Sequence, residues 1–287
     1  MAALLLLFLV FQAPASSPKE APQAGPLRIV TWNLDNFFDS FDDPWRRDEK
    51  TRPPSISGSR QERVAAVLHS LDADVVCLQE VENRFFLERF VRERLGPEGY
   101  EVVLLEGNDG RGIDVALLSR FPVGAVTSYR HLRFSDAEGH EHRFQRDLLR
   151  VHLGPPLDAE VFVVHFRSQL GGEESDQIRL AEARAAAGVF QELHRENPRY
   201  RAILAGDLND RPDSPTLAVL RKAGLIDACA DSTVPSYNRK PYRSRIDYFL
   251  LSPALARRRP DCKVLETKAT QAASDHNPVL LFLPRTP

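Results

Sequence analysis

A layered α/β or α+β sandwich is the fold class this sequence predicts, and three observations predict it. Short apolar runs of strand character recur along the chain, and amphipathic helical stretches are interspersed among them. Several links between strands are too short for a crossover helix, so the sheets should be mixed or largely antiparallel. With 287 residues, 43% of them hydrophobic, the chain is long enough to bury one large core. Beyond residue 26 no low-complexity break interrupts it, which predicts one domain over 27–287.

The elements follow in order. Met1 precedes ten apolar residues, Ala2 to Phe11, too short a run to cross a bilayer and matched to the apolar region of a signal peptide. Ala13-Pro14-Ala15 offers small residues for cleavage, so 1–15 reads as a signal peptide, although no Lys or Arg precedes the run. Residues 16–26, rich in Pro, Ala, Ser and Gln, read as a linker. Leu27–Leu34 is a strand ending at Asn33, and Asp35–Ser59 is a long polar loop of the kind that is more often functional than idle. Ser59 and Glu62 suggest a capping box ahead of a helical face of Val64, Val67, Leu68 and Leu71. A buried strand, Asp74–Glu80, then ends in Gln79 and Glu80, and a helix over Glu82–Leu95 stops at Gly96-Pro97. Strand patterns follow at 100–106, 113–120, 144–153 and 160–166, the last leading into His165. A long helix over 174–196 carries Ile178, Ala181, Ala185, Val189 and Leu193 on one face. The apolar run of RAILAGDLND breaks at Gly206 and then presents Asp207, Asn209 and Asp210. Ser214-Pro215 opens a short helix that Gly224 closes. Strands at 245–252, 262–268 and 278–283 complete the chain, with Ser274-Asp275-His276-Asn277 between the last two.

Composition removes some function classes. A formal net charge of −2 does not advertise a nucleic-acid or membrane surface, so a phosphate-bearing substrate would have to be met by a metal or by local arginines. Three cysteines are too few for a disulfide scaffold and lack the paired spacing of a zinc site. Cys77 lies in an apolar strand pattern; Cys229 and Cys262 could pair in an oxidising compartment.

Polar side chains recur at strand exits: Asn33, Glu80, His165, Asp207 with Asn209, and Asp275 with His276, while Asp247 sits within a further strand. Each alone is an ordinary turn or structural residue, but the recurrence points to a shared cleft. The motifs TWNL (31–34), LQEVE (78–82), VVHFRSQ (163–169), GDLND (206–210), RIDYFLL (245–251) and SDHNPV (274–279) stand in the order of the endonuclease/exonuclease/phosphatase superfamily. The chain resembles that superfamily over about Leu27–Leu283, and WNLDNFFD, RGIDVALLSR and HFRSQLGGEE look like a bacterial, often exported branch of it. The resemblance implies a deoxyribonuclease I-like four-layer sandwich: two packed mixed β-sheets flanked by helices, a pseudo-repeat of halves, and an active site at one end.

It also implies roles. Glu80 resembles the principal metal ligand, with Asn33 beside it on metal or phosphate and Asp275 helping. Mg²⁺, or Mn²⁺ in its place, suits such oxygen donors. Asp207 resembles the residue that orients or deprotonates the attacking water, Asn209 the one that holds the scissile phosphate, and His276 the histidine close to it, oriented by Asp247. His165 resembles the second histidine of deoxyribonuclease-like members, and Arg146 an arginine lining the substrate groove. Asp114 lies near the position of the acidic partner of His165. The expected activity is direct attack of water on phosphorus by a secreted or periplasmic monomer, with no stable membrane insertion after signal removal.

For the substrate, nucleic acid leads, supported by Arg146, His165 and the basic stretch Tyr237–Arg245. A phospholipid headgroup or a small phosphoester is the alternative, for which Phe37, Phe38, Phe41 and Trp45 could supply an aromatic surface. A catalytically inactive binding protein ranks below both, since the expected carboxylate, amide and histidine positions are filled.

Overall fold

The computed structural model describes residues 25–41 and 55–285. The expected signal peptide, most of the expected linker, and Trp45 with the prolines of the first long loop lie outside the described residues. The chain forms β1 (Leu27–Phe37), α1 (Gly58–Leu71), β2 (Val75–Val81), α2 (Arg84–Arg94), β3 (Glu101–Leu104) and β4 (Asp114–Ser119). After these come β5 (Val123–Ser128), the small hairpin β6 (Phe134–Ser135) and β7 (Glu141–His142), β8 (Leu149–Leu153), β9 (Ala159–His165) and α3 (Gly172–Glu196). The rest is β10 (Ala202–Asp207), α4 (Pro215–Lys222), β11 (Ile226–Asp227), β12 (Asp247–Leu251), α5 (Pro253–Ala256), β13 (Asp261–Val264), α6 (Lys268–Ala273) and β14 (Val279–Leu283).

Two six-stranded mixed sheets result, ordered β13-β14-β1-β2-β4-β3 and β11-β12-β10-β9-β8-β5. Each is built round one parallel pair, β1 with β2 and β9 with β10, closed by a helical crossover and flanked by antiparallel strands. The halves therefore repeat one plan: β1 corresponds to β9, β2 to β10, β4 to β12 and β14 to β8. Alternation along the strands divides the apolar residues into three layers. Ile29, Cys77, Val161, Val163, Ile203, Ala205, Phe249 and Leu281 face the other sheet. Val30, Trp32, Leu78 and Leu118 turn outward to α1 and α2, and Phe162, Leu204 and Leu250 to α3 and α4. This is the four-layer sandwich.

That alternation also places the site. Counting in twos along each inter-sheet face leads from Ile29 to Asn33, from Val163 to His165, from Ala205 to Asp207, and from Phe249 back to Asp247. These polar groups therefore end the dry core at one edge of both sheets. Glu80 is out of step by this count. The ladder between β2 and β4 shifts register between Gln79 and Val81, and Glu80 takes φ +61, a conformation uncommon for a residue with a long side chain. A matching shift in β1 between Asn33 and Phe37 puts Asp35 and Asn36 at φ +50 and +55. Paired bulges thus re-aim the exits of the two parallel strands.

Several expected elements differ in detail. The helix expected from a Ser59–Glu62 box is capped by Ser57, whose Oγ accepts the Arg60 N–H at 3.2 Å. The strand expected over 144–153 begins only at Leu149: Phe144 turns into the core, and Asp147 accepts the Tyr129 N–H at 2.8 Å. The strand expected over 262–268 stops at Val264, and a reciprocal Thr267–Thr270 cap starts α6 instead. β5, an exposed edge strand, carries too little apolar alternation to be read from sequence. Cys229 and Cys262 form a disulfide, Cα to Cα 5.0 Å, joining the chain beyond β11 on one sheet to β13 on the other.

Candidate active site

The structure brings Asn33, Glu80, His165, Asp207, Asn209, Asp247, Asp275 and His276 to one end of the sandwich. Asp207 is the centre. In register it lies between His165 on β9 and Asp247 on β12. This is possible because the residue before it is glycine: at Gly206 (φ +148) a Cβ would stand 1.9 Å from the Val164 carbonyl oxygen. One carboxylate oxygen, Oδ1, accepts the Asn209 N–H at 2.8 Å. The other, Oδ2, accepts Asn33 Nδ2–H at 3.1 Å and has His165 Nε2 at 3.6 Å and His276 Nε2 at 3.9 Å. Burial, with Asp247 close by, pushes the Asp207 carboxyl up to about 7, although His276 and the N–H donors oppose the shift.

His276 and Asp247 form a buried pair, Nδ1 to Oδ2 2.8 Å. Burial of the ring works against its charge, but Asp247, then Asp207 and Asp275, outweigh it and raise His276 to about 10. Its free Nε2 faces Asp207. The loop carrying it is tied down throughout: Trp32 Nε1–H donates to the His276 carbonyl at 2.8 Å, and Ser274 Oγ donates to the Asn33 carbonyl while accepting the His276 N–H. Ser236 Oγ accepts the backbone N–H groups of Ile246 and Asp247. His165 differs, since burial first, then Arg146, His276 and Arg111, holds its pKa well below the usual range and leaves a neutral imidazole. Asn209 (φ +50) uses one Nδ2 hydrogen on the Phe166 carbonyl at 3.0 Å, and the amide retains a second.

Other expectations change. Arg146, expected to line the substrate groove, is buried against Asp109 at 2.9 Å, and its charge bears on His165 and Glu182. Arg245, at the end of the basic stretch, is withdrawn into a bidentate pair with Asp227 (2.8 and 3.2 Å) beneath the Tyr248 ring. Asp114 accepts the Gly107 N–H at 2.6 Å. Phe37 and Phe38 are buried; of the first-loop aromatics within the described residues, only Phe41 is exposed.

Sequence reasoning also missed participants. Asp35 follows Asn33 by two in TWNLD, a spacing that could have drawn attention to it, and its carboxylate shares one guanidinium with Asp275. Glu182, fully buried on α3, accepts the Arg167 N–H at 2.6 Å and fixes the exit loop beyond His165; burial raises it to about 7. Only the helix pattern of its segment was legible. The ring of Tyr237 lies 5.0 Å from that of His276.

Residues 30–276 match the model of the Endonuclease/Exonuclease/phosphatase family. The chain belongs to this family. Members of the endonuclease/exonuclease/phosphatase family are generally metal-dependent phosphoesterases. Among solved structures, an AP endonuclease from Archaeoglobus fulgidus is similar at 20% identity and TM-score 0.63, covering 90% of this chain and 99% of its own. The human Nocturnin catalytic domain with bound sulfate anion is similar at 16% and 0.62, covering 91% and 95%. SmcL is similar at 17% and 0.61, covering 91% and 100%. At these identities the likeness is one of fold. No curated protein matches the sequence.

Among the described residues at this end of the sandwich, away from the exposed Asp136–Glu138–His140 cluster of the small hairpin, two groups could hold the divalent cation typical of the family. Asp207, Asp247 and His276 offer ligand atoms within 4.8 Å of one another, but a cation among them would have to break the 2.8 Å Asp247–His276 bond in a buried pocket. The Glu80, Asp35 and Asp275 carboxylates with the Asn33 amide fit better. All can offer oxygen, and the three carboxylates are partly open to water, as a hard cation that keeps its waters requires, while Asn33 is buried behind them. Burial raises the Asp275 carboxyl, and Asp35 and Glu80 add to the shift, a repulsion that a dication would relieve. A cation held there would polarise a phosphoryl oxygen and offset charge that builds on it.

Proposed function

We propose that this protein is a divalent-cation-dependent phosphodiesterase that cleaves nucleic-acid phosphodiester bonds by direct attack of water, and that it works outside the cytoplasm. The observation that carries the reading is the setting of Asp207 Oδ2, with donors from Asn33, His165 and His276 arrayed at 3.1, 3.6 and 3.9 Å. That array fits a carboxylate, oriented by the Asn33 amide, that takes a proton from water beside a phosphate met by the two histidines. Asp207, raised toward neutrality by burial, suits a base, and His276, held positive by Asp247, suits a donor to a phosphate oxygen. His165, a neutral imidazole, can donate one hydrogen bond without adding charge. The spare Nδ2 hydrogen of Asn209 is available to a further phosphate oxygen.

Similarity to an AP endonuclease supports a nucleic-acid substrate. The burial of Phe37 and Phe38 takes away much of the aromatic surface that a lipid-acting enzyme would need. The Cys229–Cys262 disulfide supports export, because such bonds persist in oxidising compartments.

The test is hydrolysis of plasmid DNA, RNA and a chromogenic phosphodiester with Mg²⁺ or Mn²⁺. Wild type should cleave at least one, EDTA should abolish cleavage, and Asp207→Ala should lower kcat by about a thousandfold or more. Equal rates for wild type and Asp207→Ala, or activity that survives EDTA, would defeat the reading.

A further inference from the structure

Two of the carboxylates best suited to a cation, Asp35 and Asp275, already share one arginine from the chain itself. Arg239 Nε lies 2.7 Å from Asp275 Oδ2, and its NH2 lies 3.3 Å from Asp35 Oδ2. Its side chain is 60% exposed, so no packing wall holds it in this pose. The backbone below it is fixed: Tyr237 and Ser244 exchange both main-chain bonds, Asn238 N–H donates to the Asp275 carbonyl at 2.8 Å, and Tyr242 N–H donates to the Arg239 carbonyl. The result is a hydrogen-bonded stem that holds an exposed cationic arm at the mouth of the site.

Arg60, the other arginine at these carboxylates, behaves differently. Its guanidinium donates to the carbonyls of Leu34, Asp35 and Ala273, so it is built into the backbone framework whatever charge sits nearby. Arg239 has carboxylates as its hydrogen-bond partners, and a dication bound to those oxygens would compete with it directly. The released guanidinium, tethered a few ångströms away, matches the paired oxygens of a phosphate.

We infer that Arg239 is a displaceable counter-ion of the Asp35–Asp275 pair which, once a divalent cation takes its place, turns to bind the phosphate of the substrate. This order of events favours substrate binding after the cation, and it rests on the phosphoesterase reading above.

The experiment labels wild-type protein with phenylglyoxal and reads modification at Arg239 by peptide mass spectrometry, with the exposed, remote Arg195 as internal control. Mn²⁺ should raise the labelling rate of Arg239 severalfold and leave Arg195 unchanged, and inorganic phosphate should then protect Arg239 only when Mn²⁺ is present. An Arg239 rate indifferent to Mn²⁺, or phosphate protection that is equal without it, overturns the inference. In Arg239→Gln, KM for a chromogenic phosphodiester at saturating Mn²⁺ should rise several-fold with kcat little changed; an unchanged KM overturns the phosphate-binding half. If wild type cleaves no phosphodiester, the phosphoesterase reading fails on its own, while the labelling still decides whether a cation displaces Arg239.

Discussion

His276 shows how one residue's charge is tied to the whole fold. Its raised pKa means that the folded protein holds a proton that the unfolded chain releases near the ordinary histidine value of about 6.5. The associated stability is complete below about 6.5 and is lost as pH climbs through about 10. In urea unfolding with EDTA present, the advantage of wild type over His276→Gln should therefore shrink steadily from pH 7 to pH 10.5. A constant difference would mean that the Asp247–His276 pair is not charged. Asp247 matters here as the acceptor that fixes the ring, which leaves Nε2 aimed at the reacting side.

At the scale of the element, the β9–β10 pair depends on one missing side chain. Gly206→Ala should cost more than about 3 kcal/mol, or prevent accumulation of soluble protein, because the new methyl would meet the Val164 carbonyl at a left-handed-side φ. Gly58→Ala is the fitting control, since it opens α1 with nothing near its Cβ and should change the unfolding midpoint little. The sequence made this pair legible through its apolar run, its glycine break and the polar residues behind it. The period of two along such strands also explains why Asn33, His165, Asp207 and Asp247 could be read as one set. Glu80 was read at its strand exit, but the period of two could not give its direction, which depends on a bulge. Nor could it reveal Arg146 and Arg245, whose charges a linear reading puts in the open but which Asp109 and Asp227 draw inside. The pairing of Asp35 with Arg239 was hidden too, because an ion pair between residues 204 positions apart leaves no local signature.

Across the whole molecule, the two sheets contribute different halves of the site. β1 and β2 supply Asn33, Asp35 and Glu80, while β9, β10 and β12 supply His165, Asp207 and Asp247. The disulfide ties the same two sheets at an outer edge, closing a loop with a sequence separation of 33. Replacing both cysteines by serine should lower the free energy of unfolding by about 3–4 kcal/mol on a chain-entropy estimate, read from chemical denaturation. An unchanged midpoint would show that the inter-sheet core alone sets stability.

The Asn33 amide has one further consequence. Its Nδ2 reaches Glu80 at 3.2 Å within its own sheet and Asp207 at 3.1 Å on the other, so a single planar group spans the seam of the sandwich. A slip of one sheet past the other by even a single strand step, about 3.3 Å, would break that span while leaving most apolar contacts satisfied. The amide is in effect an alignment gauge: sheared protein would keep its core and its secondary structure, yet the halves of its site would no longer face each other.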